Sequence, residues 1–143
     1  GTVTTGAVPN LGADDFFADG AGALGQLTAN LAVGGVVAWF DTLSLNGADN
    51  IGDGGIAREQ DYMLTFTNAG TYSIKMWFTN SADVDLFLVD NTYSTLLGQS
   101  FLGNGLEETI TFTATAGQST VLTINMFAGT IPPLARIMVT RTS

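Results

Sequence analysis

The sequence predicts an all-β protein: a single antiparallel β-sandwich, jelly-roll-like, of about eight strands with an irregular N-terminal third. Three observations carry this. Thr71–Thr79 alternates almost completely, with Tyr72, Ile74, Met76 and Phe78 on one side and Thr71, Ser73, Lys75, Trp77 and Thr79 on the other. A period of two over such a run means a strand with one dry and one wet face. Short β-prone runs recur along the chain, separated by turns that carry Gly, Asn or Pro. The composition agrees: the 143 residues include 18 Gly, and only 12% are charged, so Lys, Glu and Arg are too scarce to build amphipathic helices.

In chain order, Thr2–Val8 is uncharged and rich in Thr and Val, and ends at Pro9. It reads as a strand without a nearby hairpin partner. Asn10–Gly25 is a Gly/Ala/Asp loop. A short helix is expected over Asp14–Asp19 or Leu24–Leu31, because Leu24, Leu27 and Leu31 recur at helical spacing. Gly34–Leu45 reads as a strand with Val37, Trp39, Leu43 and Leu45 on one face, which makes Trp39 a core residue. Asn46–Gly55 is a polar loop. Asp61–Phe66 and Thr71–Thr79 are strands joined at Asn68-Ala69-Gly70, and a third strand enters through Asp83-Val84-Asp85. A turn and a short strand fill Asn91–Gly98.

Leu106–Ala116 then alternates Thr109, Thr111, Thr113 and Thr115 against Ile110, Phe112 and Ala114. Ser119–Phe127 turns Leu122, Ile124 and Met126 inward, and Leu134–Thr140 does the same with Ile137 and Val139. The expected interior is Tyr72, Ile74, Met76, Phe78, Leu86, Leu88, Phe112, Leu122, Ile124 and Val139. Residues 1–33 form an N-terminal extension and 34–143 the sandwich domain. The chain begins at Gly1, which is expected of a mature form or an excised piece.

The net charge of −9 rests on only four basic residues, Arg58, Lys75, Arg136 and Arg141, so no basic stripe for a nucleic-acid backbone can be built. The apolar runs are too short to insert in a bilayer. There is no Cys and no His, which removes disulfides, the Ser-His-Asp and Cys-His nucleophile systems and most zinc sites. Glu107 and Glu108 are neighbours on one strand, point to opposite faces and cannot flank a glycosidic bond.

No cofactor is required. Calcium, an oxygen-seeking cation, is the metal that could be taken, by Asp49, Asn50 and Asp53 in the polar loop or by Asp83, Asp85 and Asp90. Asx turns are the favoured reading of the loop residues, and turn capping or strand-edge hydrogen bonding that of Asp83 and Asp85. Trp77, on the polar face of its strand, is the sharpest surface candidate. Phe16 and Phe17 are apolar groups in a loop. With Thr2, Val3, Thr4 and Val8 they complete the candidate interface.

The stretch Asp61–Asp90 resembles the bacterial pre-peptidase C-terminal domain, a secreted β-sandwich module. The resemblance rests on the acidic-aromatic strand start Asp61-Tyr62, the Gly-containing hairpin, and the run Asp83-Val84-Asp85-Leu86-Phe87-Leu88. It extends from Asp61 to about Thr140. It implies an extracellular or cell-surface location and an accessory role beside a secreted hydrolase.

Two function classes follow. The first is a non-enzymatic extracellular structural protein, a self-assembling subunit of a surface filament in which Thr2–Val8 is donated as a strand to a neighbouring copy; its partner would be a homo-oligomer or polymer. The alternative is an accessory binding or attachment module of a secreted hydrolase, its partner a polymeric substrate.

Overall fold

The computed structural model describes residues 3–5, 25–41, 58–78, 83–92, 94–102, 107–128 and 135–143. These contain ten strands and no helix: β1 (Val3–Thr5), β2 (Gly25–Ala29), β3 (Val36–Asp41), β4 (Arg58–Phe66), β5 (Gly70–Phe78), β6 (Asp83–Asp90), β7 (Leu96–Ser100), β8 (Glu108–Ala114), β9 (Gln118–Ala128) and β10 (Ala135–Arg141). They form two five-stranded sheets. Sheet I has the order β1-β3-β10-β5-β8 and sheet II the order β2-β4-β9-β6-β7. Pairing is antiparallel except at two outer pairs, β1 with β3 and β2 with β4, which run parallel.

Most successive strands cross to the opposite sheet; β6 and β7 are the only consecutive described strands that pair with each other. The turn at Asn68-Ala69-Gly70 therefore does not close the hairpin that the sequence suggested. It carries the chain from β4 in sheet II to β5 in sheet I. A turn motif says where a chain reverses but not which edge the next strand will join. Two contacts hold this corner. The Tyr72 hydroxyl donates to the Asn68 carbonyl at 2.6 Å. The C-terminus passes so close to Gly70 that a Cβ there would lie 2.1 Å from the Ser143 carbonyl oxygen, which leaves room only for glycine.

β2 corrects the helix expected over Leu24–Leu31. In the described part, Leu27, Ala29 and Leu31 are buried while Gln26, Thr28 and Asn30 are exposed. The period is two. The spacing of the leucines was compatible with a helix only because Ala29 is small and easily passed over as a core residue. The helix expected over Asp14–Asp19, and Leu43 and Leu45, lie outside the described residues.

The interior matches the alternation closely. Tyr72, Ile74, Met76, Leu86, Leu88, Phe112, Leu122, Ile124 and Val139 belong to one buried cluster, and Phe78 packs against it half-buried. Trp39 is in the same cluster, with Tyr62, Leu64 and Phe66 from β4. The Phe66 ring lies 4.6 Å from Tyr72 and 5.5 Å from Phe112, centroid to centroid, both tilted, so it joins the two sheets at the centre.

The two outer faces differ. On sheet II, β6 is buried continuously from Val84 to Val89 and β9 from Thr120 to Asn125, so both faces of these strands are covered. A second apolar cluster, Val89 and Val121 with Met63 against them, lies apart from the main core. On sheet I, β5, β8 and β10 keep the wet-and-dry alternation, β8 reading buried, exposed, buried from Glu108 to Ala114, whereas on β3 the neighbours Ala38 and Trp39 are both buried.

Candidate binding face

The open outer face of sheet I is built from three neighbouring strands. Cross-strand register lines up Thr113 with Thr71, Thr111 with Ser73 and Thr140, Thr109 with Lys75 and Met138, and Trp77 with Arg136. The Thr109, Thr111 and Thr113 side chains are exposed and those on β5 and β10 are half-buried. The hydroxyls of Thr71 and Thr113 lie 3.2 Å apart and share a hydrogen bond. At the other end of the face the Arg136 guanidinium carbon sits 5.1 Å from the centroid of Trp77. Such a contact fixes the indole against the sheet while leaving it half-buried. Lys75 and Glu107 approach to 3.7 Å on the same surface, a solvent-screened pair that adds little stability.

Two of the four cations of this acidic chain, Lys75 and Arg136, thus stand beside one aromatic ring and several hydroxyls. Arg141 is used otherwise. It donates to the carbonyls of Leu31 at 2.9 Å, Ala69 at 2.8 Å and Ser143 at 3.1 Å, and so ties β10 to the turns around it.

The acidic residues of β6 do not come together. Asp83 and Asp90 stand at opposite ends of the strand, about 23 Å apart at ~3.3 Å per residue. Both oxygens of Asp90 are taken by its own loop: Thr92 Oγ1 and Ser94 Oγ donate to Oδ2, each at 2.7 Å, and the backbone N–H groups of Ser94 and Thr95 donate to Oδ1 at 2.7 and 2.9 Å. The Thr92 bond first, then those from Thr95 and Ser94, hold this carboxyl well below the ordinary Asp range. Asp85 is buried and in register with Asn125, as Asp61 is with Thr123. Among the described residues no three His, Cys, Asp or Glu side chains gather as a metal would need. Asp49, Asn50, Asp53, Thr2, Val8, Phe16 and Phe17 lie outside the described residues.

Val3 and Thr4 pair with Val36 and Val37 of the same chain. The strand that the sequence leaves without a nearby hairpin partner, and that strand donation would place on a neighbouring copy, therefore pairs within its own chain. A parallel partner more than thirty positions away leaves no local trace in sequence.

Glu108 was missed as a site of interest. It is fully buried, while Glu107 stays on the surface, so the two do point to opposite faces. The signal was present, because Glu108 is in phase with Ile110, Phe112 and Ala114.

No family model matches the chain, and no curated protein matches it. Solved structures do. One is the pre-peptidase C-terminal domain of collagenase from Bacillus anthracis, with a TM-score of 0.51 at 12% identity over 80% of this chain and 94% of that one. The fold is similar to that of a pre-peptidase C-terminal domain. Lower similarity is found to a CBM4 module, with a TM-score of 0.43 at 16% identity over 71% of this chain and 69% of that one. The C-terminal CBM6 of the laminarinase LamC from Zobellia galactanivorans also gives 0.43, at 14% identity over 75% of this chain and 100% of that one. The fold expected from Asp61-Tyr62 and the Asp83–Leu88 run is the one observed.

Proposed function

We propose that this chain is a non-catalytic accessory module of an extracellular hydrolase, and that it attaches the enzyme to an extended polysaccharide through the outer face of sheet I. The observation that carries the reading is the contrast between the two sheets. Sheet II is covered on its outer side around β6 and β9, while β5, β8 and β10 of sheet I present a row of hydroxyls to solvent with Trp77 and Arg136 at one end. A sugar ring offers one apolar face and a rim of hydroxyls. Indole suits the face, and Thr and Ser hydroxyls suit the rim. The similarity of fold to the pre-peptidase C-terminal domain of a collagenase is the support for an accessory role.

The role needs no cofactor. A calcium ion held by Asp49, Asn50 and Asp53 would stiffen a loop rather than supply chemistry. With its first strand paired in its own chain, the protein is read as a module and not as a filament subunit. The test is depletion from solution by insoluble polysaccharides, with fibrous collagen as the contrasting polymer. Retention on a polysaccharide supports the reading; retention on collagen alone overturns the assignment of ligand class.

A further inference from the structure

Glu108 sits where the free margins of the two sheets meet. It lies on β8, the last strand of sheet I, and its carboxylate reaches the end of β7, the last strand of sheet II. The Ser100 hydroxyl donates to Glu108 Oε2. The backbone N–H of Leu102 donates to Oε1 at 2.9 Å. The Thr109 N–H in turn donates to Ser100 Oγ at 3.2 Å, so Ser100 is held from both sides. β7 is pressed against β8 at this margin: a Cβ on Gly98 would lie 2.5 Å from Ile110 Cγ2. Just beyond the contact, Leu96, Phe101 and Leu102 are exposed apolar side chains.

A fully buried carboxyl normally has a cation beside it. Glu108 has none among the described residues. Met76 is its register neighbour on β5, Lys75 points to the other side of that sheet and pairs with Glu107, and β7 carries no charge. The charged group that acts on it is another acid, Asp83 at the start of β6. Oδ1 of Asp83 is itself buried with no hydrogen-bond partner among the described residues.

We infer that Glu108, Ser100 and the Leu102 amide form a clasp between the sheets that is tight when Glu108 carries a proton and loosens when it is ionised. In the neutral form the proton on Oε2 is donated to Ser100 Oγ, reversing that bond, while the Leu102 N–H still donates to Oε1. The ionised form keeps both donors but has no cation beside it among the described residues and is driven toward water. Burial pushes the Glu108 carboxyl above its ordinary range, the bonds from Ser100 and Leu102 draw it back, and Asp83 pushes it up again. A raised acid binds its proton more tightly in the folded state. Its stabilising effect is complete below the ordinary Glu range and is lost as pH rises through the folded value. The margin of β7 and the Phe101–Leu102 segment is therefore firmest below the ordinary Glu range and loosens as pH rises through the folded value.

Amide hydrogen exchange on the whole chain, corrected for the intrinsic pH dependence of exchange, tests this. The protection of the Leu102 and Thr109 amides should fall as pH rises, by about tenfold for each unit by which the folded value exceeds the unfolded one. Glu108→Gln should remain protected with no such step. Asp83→Asn, which removes the neighbouring charge but keeps Glu108, should move the step to lower pH. A step that persists in Glu108→Gln, or no step in the unaltered protein, overturns the inference. So does an Asp83→Asn step that stays in place.

Discussion

Trp77 and Arg136 face each other across β5 and β10, with the guanidinium carbon 5.1 Å from the ring centroid. This pair joins two strands that are far apart in sequence and sets an aromatic ring on the open face of sheet I. Truncating it should be cheap for the fold and costly for binding. Trp77→Ala should lower stability by about 1–3 kcal/mol, since it removes a cation–π contact worth roughly 0.5–1 kcal/mol together with the packing of a half-buried indole. A denaturant melt measures this; a much larger loss would place Trp77 in the core instead.

Ile124 lies on the inner face of β9 in the main buried cluster. Ile124→Ala should cost about 2–5 kcal/mol. A change below about half a kcal/mol in the same melt would contradict its place in the core.

The Tyr72 hydroxyl closes the corner between the two sheets on the Asn68 carbonyl. Tyr72→Phe should cost about 0.5–1.5 kcal/mol and leave the sandwich intact. Thermal unfolding of the variant beside the parent measures the difference, and no shift at all would mean that the bond contributes nothing to folding.

Gly98 of β7 packs against Ile110 of β8, where an added Cβ would lie 2.5 Å from Ile110 Cγ2. Gly98→Ala forces a methyl against Ile110 and should destabilise by about 1–3 kcal/mol, as overpacking does. In an Ile110→Ala background, which lacks Cγ2, Gly98→Ala should cost less than in the parent. If the pair is strictly additive, the clash is not the cause.

Much of the fold was legible because burial on one face leaves a period of two. The alternation in β5, β8 and β10 names their inward residues correctly. It also carries Trp77 to the outer face and Glu108 to the inner one. What stayed hidden is what depends on distant partners. Nothing in Asn68-Ala69-Gly70 announces that β5 leaves the sheet of β4. The leucines around β2 satisfy a helical spacing by coincidence, and only packing against β4 decides for a strand. Arg136 could not be placed beside Trp77 before the register of β5 and β10 was known. The same holds for Val3 and Thr4, whose partner strand begins at Val36.

The central claim is that the outer face of sheet I is the binding face. Its most direct test compares the parent chain, Trp77→Ala and Phe101→Ala in depletion assays on an insoluble polysaccharide that retains the parent. Phe101 is exposed just after β7 of sheet II, is not one of the side chains of the proposed face, and serves as the control. The account predicts that Trp77→Ala stays folded and loses at least tenfold in affinity, about 1.4 kcal/mol, while Phe101→Ala binds like the parent. Equal binding by Trp77→Ala and the parent would contradict it.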